Sequence, residues 1–215
     1  MGFDGFPDEG LAFYEGLLAD NSKAYWTDNK DVYERSVKRP MQALIEALGD
    51  GWGEPKIFRP YRDVRFSADK SPYKTHQGAF FEILDGVGYY VQLDADGLYL
   101  AGGFHAHSKD QTARYRSAVD APGSGSELEK IITKLTKAGF ELGGDRVKTR
   151  PRGVPADHPR LELMRHESLV AGRRHEPSAS LHTAATLSVV RREWRSLQPL
   201  MEWTAANVGA FEMRR

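Results

Sequence analysis

Three short runs rich in aromatic and aliphatic residues, 79–84, 89–93 and 98–101, are separated only by turns built on Asp85-Gly86 and Asp94-Ala95-Asp96-Gly97. Connections this short join antiparallel neighbours, because a parallel return needs a crossover of a dozen or more residues. Residues 56–104 therefore read as an antiparallel meander. Helix-periodic sequence lies on both sides of it, without βαβ alternation, which predicts an α+β fold whose sheet packs against N-terminal and C-terminal helices. At 215 residues with no internal repeat or low-complexity linker, the chain is expected to form a single α+β domain, 1–215.

Before the meander, Phe6, Leu11, Phe13, Tyr14, Leu17 and Leu18 form a helical stripe behind Pro7-Asp8, with Asp8 as the expected cap and an end near Ala19. A second stripe runs through Trp26, Val32, Tyr33 and Val37 into Met41, Leu44, Ile45 and Leu48. Pro40 is expected to end or kink its first half at Arg39 and to open the second, which Gly49-Asp50-Gly51 stops. After the meander, Ser108 with Gln111 and Ser126 with Glu129 read as two capping boxes, the second opening a stripe closed by Gly139. Residues 148–159 read as an ordered surface loop. A helix through Leu181, Leu187, Val190, Trp194 and Leu197 follows, with Pro199 starting another through Leu200, Trp203 and Val208.

Hydrophobic residues at 40%, charged at 28% and aromatic at 11% describe a soluble globular protein with a real core. No apolar run is long enough to span a membrane. The N-terminus lacks a basic segment followed by an apolar one, and no cysteine is present, so the expected location is cytoplasmic. The same lack of cysteine excludes thiolate nucleophiles and sulfur-ligated zinc.

The charge is unevenly placed. Lysine plus arginine and aspartate plus glutamate number 30 each, yet between Lys56 and Lys74 six cations face only Asp63 and Asp69. This block, RPYRDVRFSADKSPYKT at residues 59–75, requires anionic compensation from a ligand, a nucleic acid or the protein's own carboxylates. If residues 61–66 form a strand, Tyr61, Asp63 and Arg65 share one face and Arg62, Val64 and Phe66 the other. An arginine on an apolar face needs a carboxylate or a bound anion. The first reading is a pocket for a small phosphate- or carboxylate-bearing ligand lined by Arg59, Tyr61, Arg62, Arg65, Lys70, Tyr73 and Lys74. Asp63 would orient an arginine or act as a base, the one catalytic candidate. Ser67 to Pro72 would form a polar turn whose N–H groups help cradle the anion. A second basic element, Lys148, Arg150 and Arg152, is a solvated loop or closes over the same pocket. Two alternatives use the same block: a nucleic-acid or protein-interaction module stacking Tyr61, Phe66 and Tyr73, or a structural network pairing the arginines with Asp28, Asp31 and Glu34. Zero net charge weighs against nucleic acid.

His105 and His107 have a metal-like spacing, but no third ligand is identifiable and no metal is assigned. Asp94 and Asp96 lack the remaining positions of a calcium loop and read as turn residues. With no GxSxG, GxGxxG or Walker A pattern, no cofactor is identifiable.

The blocks KIFRPYRDVRFSADKSPYKT, YYVQLDADGLYLAGG, and KTRPRG followed by DHPRLELMRHESLVA resemble the domain-of-unknown-function family 2461. The similarity extends to Asn21 and to residues 30–33, and so spans nearly the whole chain. It implies one full-length α+β domain with the basic block as its hallmark, and it supplies no activity. This chain departs from the family in having Asn21-Ser22 for an Asn pair, Tyr25-Trp26 for Trp-Phe, and His105-Ala106 for His-Pro, which makes the His-x-His spacing incidental.

Overall fold

The computed structural model describes residues 2–63, 65, 69–106 and 108–209. The elements are α1 (Asp8–Ala19), α2 (Lys23–Tyr33), a π-helical segment (Glu34–Lys38), α3 (Arg39–Leu48), β1 (Glu54–Ile57), β2 (His76–Leu84), β3 (Val87–Asp94) and β4 (Gly97–His105), then α4 (Lys109–Asp120), α5 (Pro122–Lys137), β5 (Glu141–Gly143), α6 (Leu161–Met164), β6 (Ser168–His175) and α7 (Ala185–Asn207). The sheet is antiparallel and six-stranded, in the order β1-β2-β3-β4-β6-β5, so the expected meander and the α+β class are present. Its last two strands lie outside the expected meander. β6 has only the short apolar stretch Leu169 to Ala171 before Gly172, Arg173 and Arg174, and β5 pairs with it through Leu142 opposite Ala171.

The chain divides into two compact units. One comprises Met1–Phe81, Tyr90–Leu100 and Arg174–Arg192; the other comprises Glu82–Tyr89, Ala101–Arg173 and Glu193–Arg215. In the first, Phe13 lies edge-on to Trp26 at 5.7 Å between ring centres and Trp26 meets Tyr33 at 4.8 Å. In the second, Tyr89 stacks on Trp194 at 5.1 Å and Phe104 meets Tyr115 at 4.9 Å. Such ring pairs contribute about 0.5–1.5 kcal/mol each beyond the apolar area they bury.

Several local expectations are corrected. Asp8 does not cap α1; Pro7 occupies that position, and Asp8, in the first turn, meets His182 Nε2 at 3.0 Å. Ser126 does not open a helix, because α5 already begins at Pro122, and Ser126 Oγ and Glu129 Oε2 instead accept from Arg160 at 2.9 and 2.8 Å. Pro199 starts nothing: α7 runs through it unbroken for 23 residues. The carbonyl four residues earlier, left without its N–H partner, belongs to exposed Arg195, where water can serve it. The box at Ser108 does cap α4, its Oγ accepting from Gln111 N at 3.1 Å. No described helix is long and apolar enough to cross a membrane.

Candidate functional site

The basic block enters the first unit as an extended strap held by a single antiparallel bridge, Tyr61 opposite Tyr73. Arg62 N donates to Pro72 O at 2.9 Å and Lys74 N to Pro60 O at 2.7 Å on either side of it. Asn21 fastens the strap with both ends of its carboxamide, Nδ2 donating to Tyr73 O and Oδ1 accepting from Tyr73 N, each at 3.1 Å. This is a side chain imitating a strand edge. It places the Tyr73 ring flat on Trp26, 4.3 Å between centres and 5° from parallel.

Of the strand expected at residues 61–66, the described residues show only the bridge at Tyr61. Beyond the bridge at Tyr61, neither Arg62 nor Asp63 is in regular structure, and Val64, Phe66, Ser67 and Ala68, with the alternation and the anion-cradling turn assigned to them, lie outside the described residues. The acids that answer Arg62 and Arg65 are the block's own, not Asp28, Asp31 or Glu34. Arg65 forks onto Asp63, Nε to Oδ1 at 2.9 Å and Nη2 to Oδ2 at 2.6 Å. Arg62 pairs with Asp69, which also accepts from Ser71 N at 2.9 Å. Glu34 is taken by Lys38 at 2.9 Å.

These contacts sort the candidate residues. Tyr73 is 6% exposed and structural, so it does not line a pocket. Tyr61 is 51% exposed, its ring 6.0 Å from Trp26 and 5.6 Å from Tyr73. Hydrogen bonds from Arg65 hold the Asp63 carboxyl below its ordinary range, with Arg59 adding to the effect, which makes it a weak base and leaves it as the orienter of Arg65. Lys70 is exposed. Arg59 and Lys74 have no carboxylate partner among the described residues. Burial lowers the proton affinity of Lys74, and the Arg59 and Arg62 charges lower it further, so the three form one cationic cluster. The Lys74 ammonium lies 5.2 Å from the centre of the Phe58 ring.

Phe58 leads to a row of polar residues absent from the sequence-level candidates. Its ring is 6.2 Å from Tyr90, whose hydroxyl donates to Gln92 Oε1 at 2.8 Å, and Gln92 Nε2 donates to Asp94 Oδ2 at 2.7 Å. Arg174 forks onto Asp94 at 2.7 and 2.9 Å and lies 5.8 Å from the Tyr99 ring. Asp94, read as a turn residue, does accept from Asp96 N at 2.9 Å, but at 9% exposure it is also the anchor of this network. His76 adjoins the row: burial and the Lys74 charge depress its proton affinity, Asp94 opposes them and Arg62 adds to them. The available sequence signal was the alternation Tyr90, Gln92, Asp94 along β3, a polar stripe on a strand otherwise apolar.

Lys148, Arg150 and Arg152 are exposed in a stretch without helix or strand, and belong to the other unit. Arg150 donates to Val154 O. His107 lies outside the described residues, His105 Nδ1 is 3.6 Å from Asp145, and no group of three metal-ligating side chains occurs among the described residues.

A family model described as "Conserved hypothetical protein (DUF2461)" matches residues 9–203. No curated protein matches the chain.

Proposed function

The chain belongs to the DUF2461 family, whose description names no activity, and we propose from the site itself that it binds a small anion through Arg59, Arg62 and Lys74. The observation that carries this reading is uncompensated charge. Arg62, Arg65 and Arg174 each have a carboxylate, whereas Arg59 and Lys74 have none among the described residues, although they stand close enough to depress proton binding at Lys74. Like charges held together cost energy unless an anion joins them. A phosphate- or carboxylate-bearing molecule would supply it, with the aromatic residues beside Lys74 giving the ligand an apolar wall.

The nucleic-acid alternative needs several exposed rings interleaved with the cations. Tyr61 is exposed but Tyr73 is stacked on Trp26, which favours the small ligand.

A thermal-shift series tests the reading with phosphate, sugar phosphates, nucleotides, carboxylates and short oligonucleotides against wild type and Lys74→Gln. A ligand confined to the native state adds about 2.7 kcal/mol at a hundredfold excess over its dissociation constant. The expected outcome is a rise with one class of small anion that Lys74→Gln loses while remaining folded. No rise with any anion would sink the proposal, and a rise with oligonucleotides alone, steeply salt-dependent, would transfer the block to the nucleic-acid reading.

A further inference from the structure

The bridge between Tyr61 and Tyr73 divides the block by face. Opposed residues of an antiparallel pair point the same way and their chain neighbours the other way. Tyr61 and Tyr73 therefore share the side toward Trp26, while Arg62 and Lys74 share the opposite side, which continues through Phe58 to Tyr90. Gly78 belongs to this second side: a Cβ there would lie 2.4 Å from the Tyr90 hydroxyl. His76, two residues earlier on the same strand, shares its face by the period of two. The charges that act on His76 are those of Lys74, Asp94 and Arg62. Its imidazole makes no hydrogen bond to any described residue, and it is half-buried.

The charges on and around this face set what it can hold. In the cluster that acts on Lys74, Asp69 neutralises Arg62, while Asp63 and Asp94 neutralise Arg65 and Arg174 beside it; the surplus of this cluster is Arg59 and Lys74, two positive charges, and Lys56 and Lys70 lie outside the count. A carboxylate or a phosphodiester neutralises half of that surplus. A phosphate monoester carries nearly two negative charges at neutral pH and neutralises all of it. Resting on the anion reading above, we propose that the ligand is the dianion of a phosphate monoester and that His76 is one of the groups that hold it. A neutral imidazole offers one N–H to a phosphate oxygen. Once the dianion is bound, its charge offsets Lys74 and Arg62, the imidazole takes up a proton, and the bond becomes charge-assisted.

Calorimetric titration of the full chain with methyl phosphate, dimethyl phosphate and acetate at pH 7 separates these claims, because the first two differ chiefly in charge. Methyl phosphate is expected to bind at least about tenfold more tightly than either monoanion. His76→Gln is expected to lose about fivefold or more of the methyl phosphate affinity and less of the acetate affinity, because only the dianion draws a proton onto the imidazole. In wild type, the His76 ring, followed by nitrogen-detected NMR, should titrate at higher pH when methyl phosphate is bound, a readout that needs no variant to fold. Equal affinity for the three probes, or an unmoved His76 titration, overturns this inference while leaving the anion reading standing. Failure of wild type to bind any of the three removes both.

Discussion

A carboxylate offers about four lone-pair positions, and Asp94 fills all of them. Oδ1 accepts from Arg174 Nη1 and Asp96 N, and Oδ2 from Arg174 Nη2 and Gln92 Nε2, at 2.7–2.9 Å. A group so completely satisfied has no lone pair left for a ligand, so its role is to hold Arg174 and Gln92 in place beside the cationic cluster. Removing the arginine strands a charge that is 9% exposed. Arg174→Met should therefore cost about 2 kcal/mol, less than the roughly 3–5 kcal/mol of a fully buried pair, because the Arg174 side chain is 37% exposed. Arg174→Lys should recover little of the loss, since an ammonium cannot make the two parallel bonds of the fork. Urea midpoints of the two variants check this, and a Lys variant as stable as wild type would contradict it. The turn role of Asp94 was legible because Asp96 is two residues away; the arginine that gives Asp94 its larger role is 80 residues away and leaves no local trace.

At the scale of elements, Pro40 was legible as an interruption but not in the form it takes. A proline at position 40 cannot donate to the carbonyl of Ser36, and the chain answers by widening one turn: Arg39 N donates to Glu34 O across the π-helical segment, so α2 runs into α3 without a break. The Ser36 carbonyl then faces α1, where Gly10 allows close approach; a Cβ on Gly10 would stand 2.5 Å from that oxygen. Gly10→Ala isolates the effect. Helix propensity alone favours alanine by about 1 kcal/mol, whereas the clash should reverse the sign and cost about 1–3 kcal/mol. Thermal or urea denaturation decides it, and a stabilised Gly10→Ala would show that α1 and the π turn can move apart freely. The capping reading at Ser126 failed for a related reason. Ser and Glu three residues apart satisfy a box anywhere in a helix register, and only Arg160, distant in sequence, reveals that here the pair serves an ion pair and not a helix start.

For the whole molecule, the α+β class and the meander were legible because turn chemistry and apolar period are local, while β6, the polar face of β3 and the partners of the arginines depend on contacts made only after the strands assemble. The charge surplus of the basic block was legible as composition, and its division into paired and unpaired cations was not. One global property follows from the titrating groups of both units. Burial is the leading cause that depresses proton binding at His76 in one unit and at His166 in the other, where His166 is 5% exposed and its Nδ1 lies 2.9 Å from Ser168 O. In the unfolded chain both would titrate near the ordinary histidine value of about 6.5. The unfolded state thus binds more protons than the native state between the depressed values and that pH, and stability rises with pH wherever this holds. The contribution is fully present above about pH 6.5 and is lost as the pH falls through the native values. The carboxylates of Glu9, Asp63 and Asp69, also depressed, respond in the same direction but only below the ordinary carboxylate range, so they add a separate, more acidic limb. Urea midpoints measured from pH 7.5 to pH 5 should fall with acidity, and the double variant His76→Gln, His166→Gln should show a shallower slope whatever its absolute stability. A slope unchanged in the double variant would assign the acid sensitivity to other groups, and a midpoint that rises toward pH 5 would mean that these imidazoles are held in the folded protein as cations.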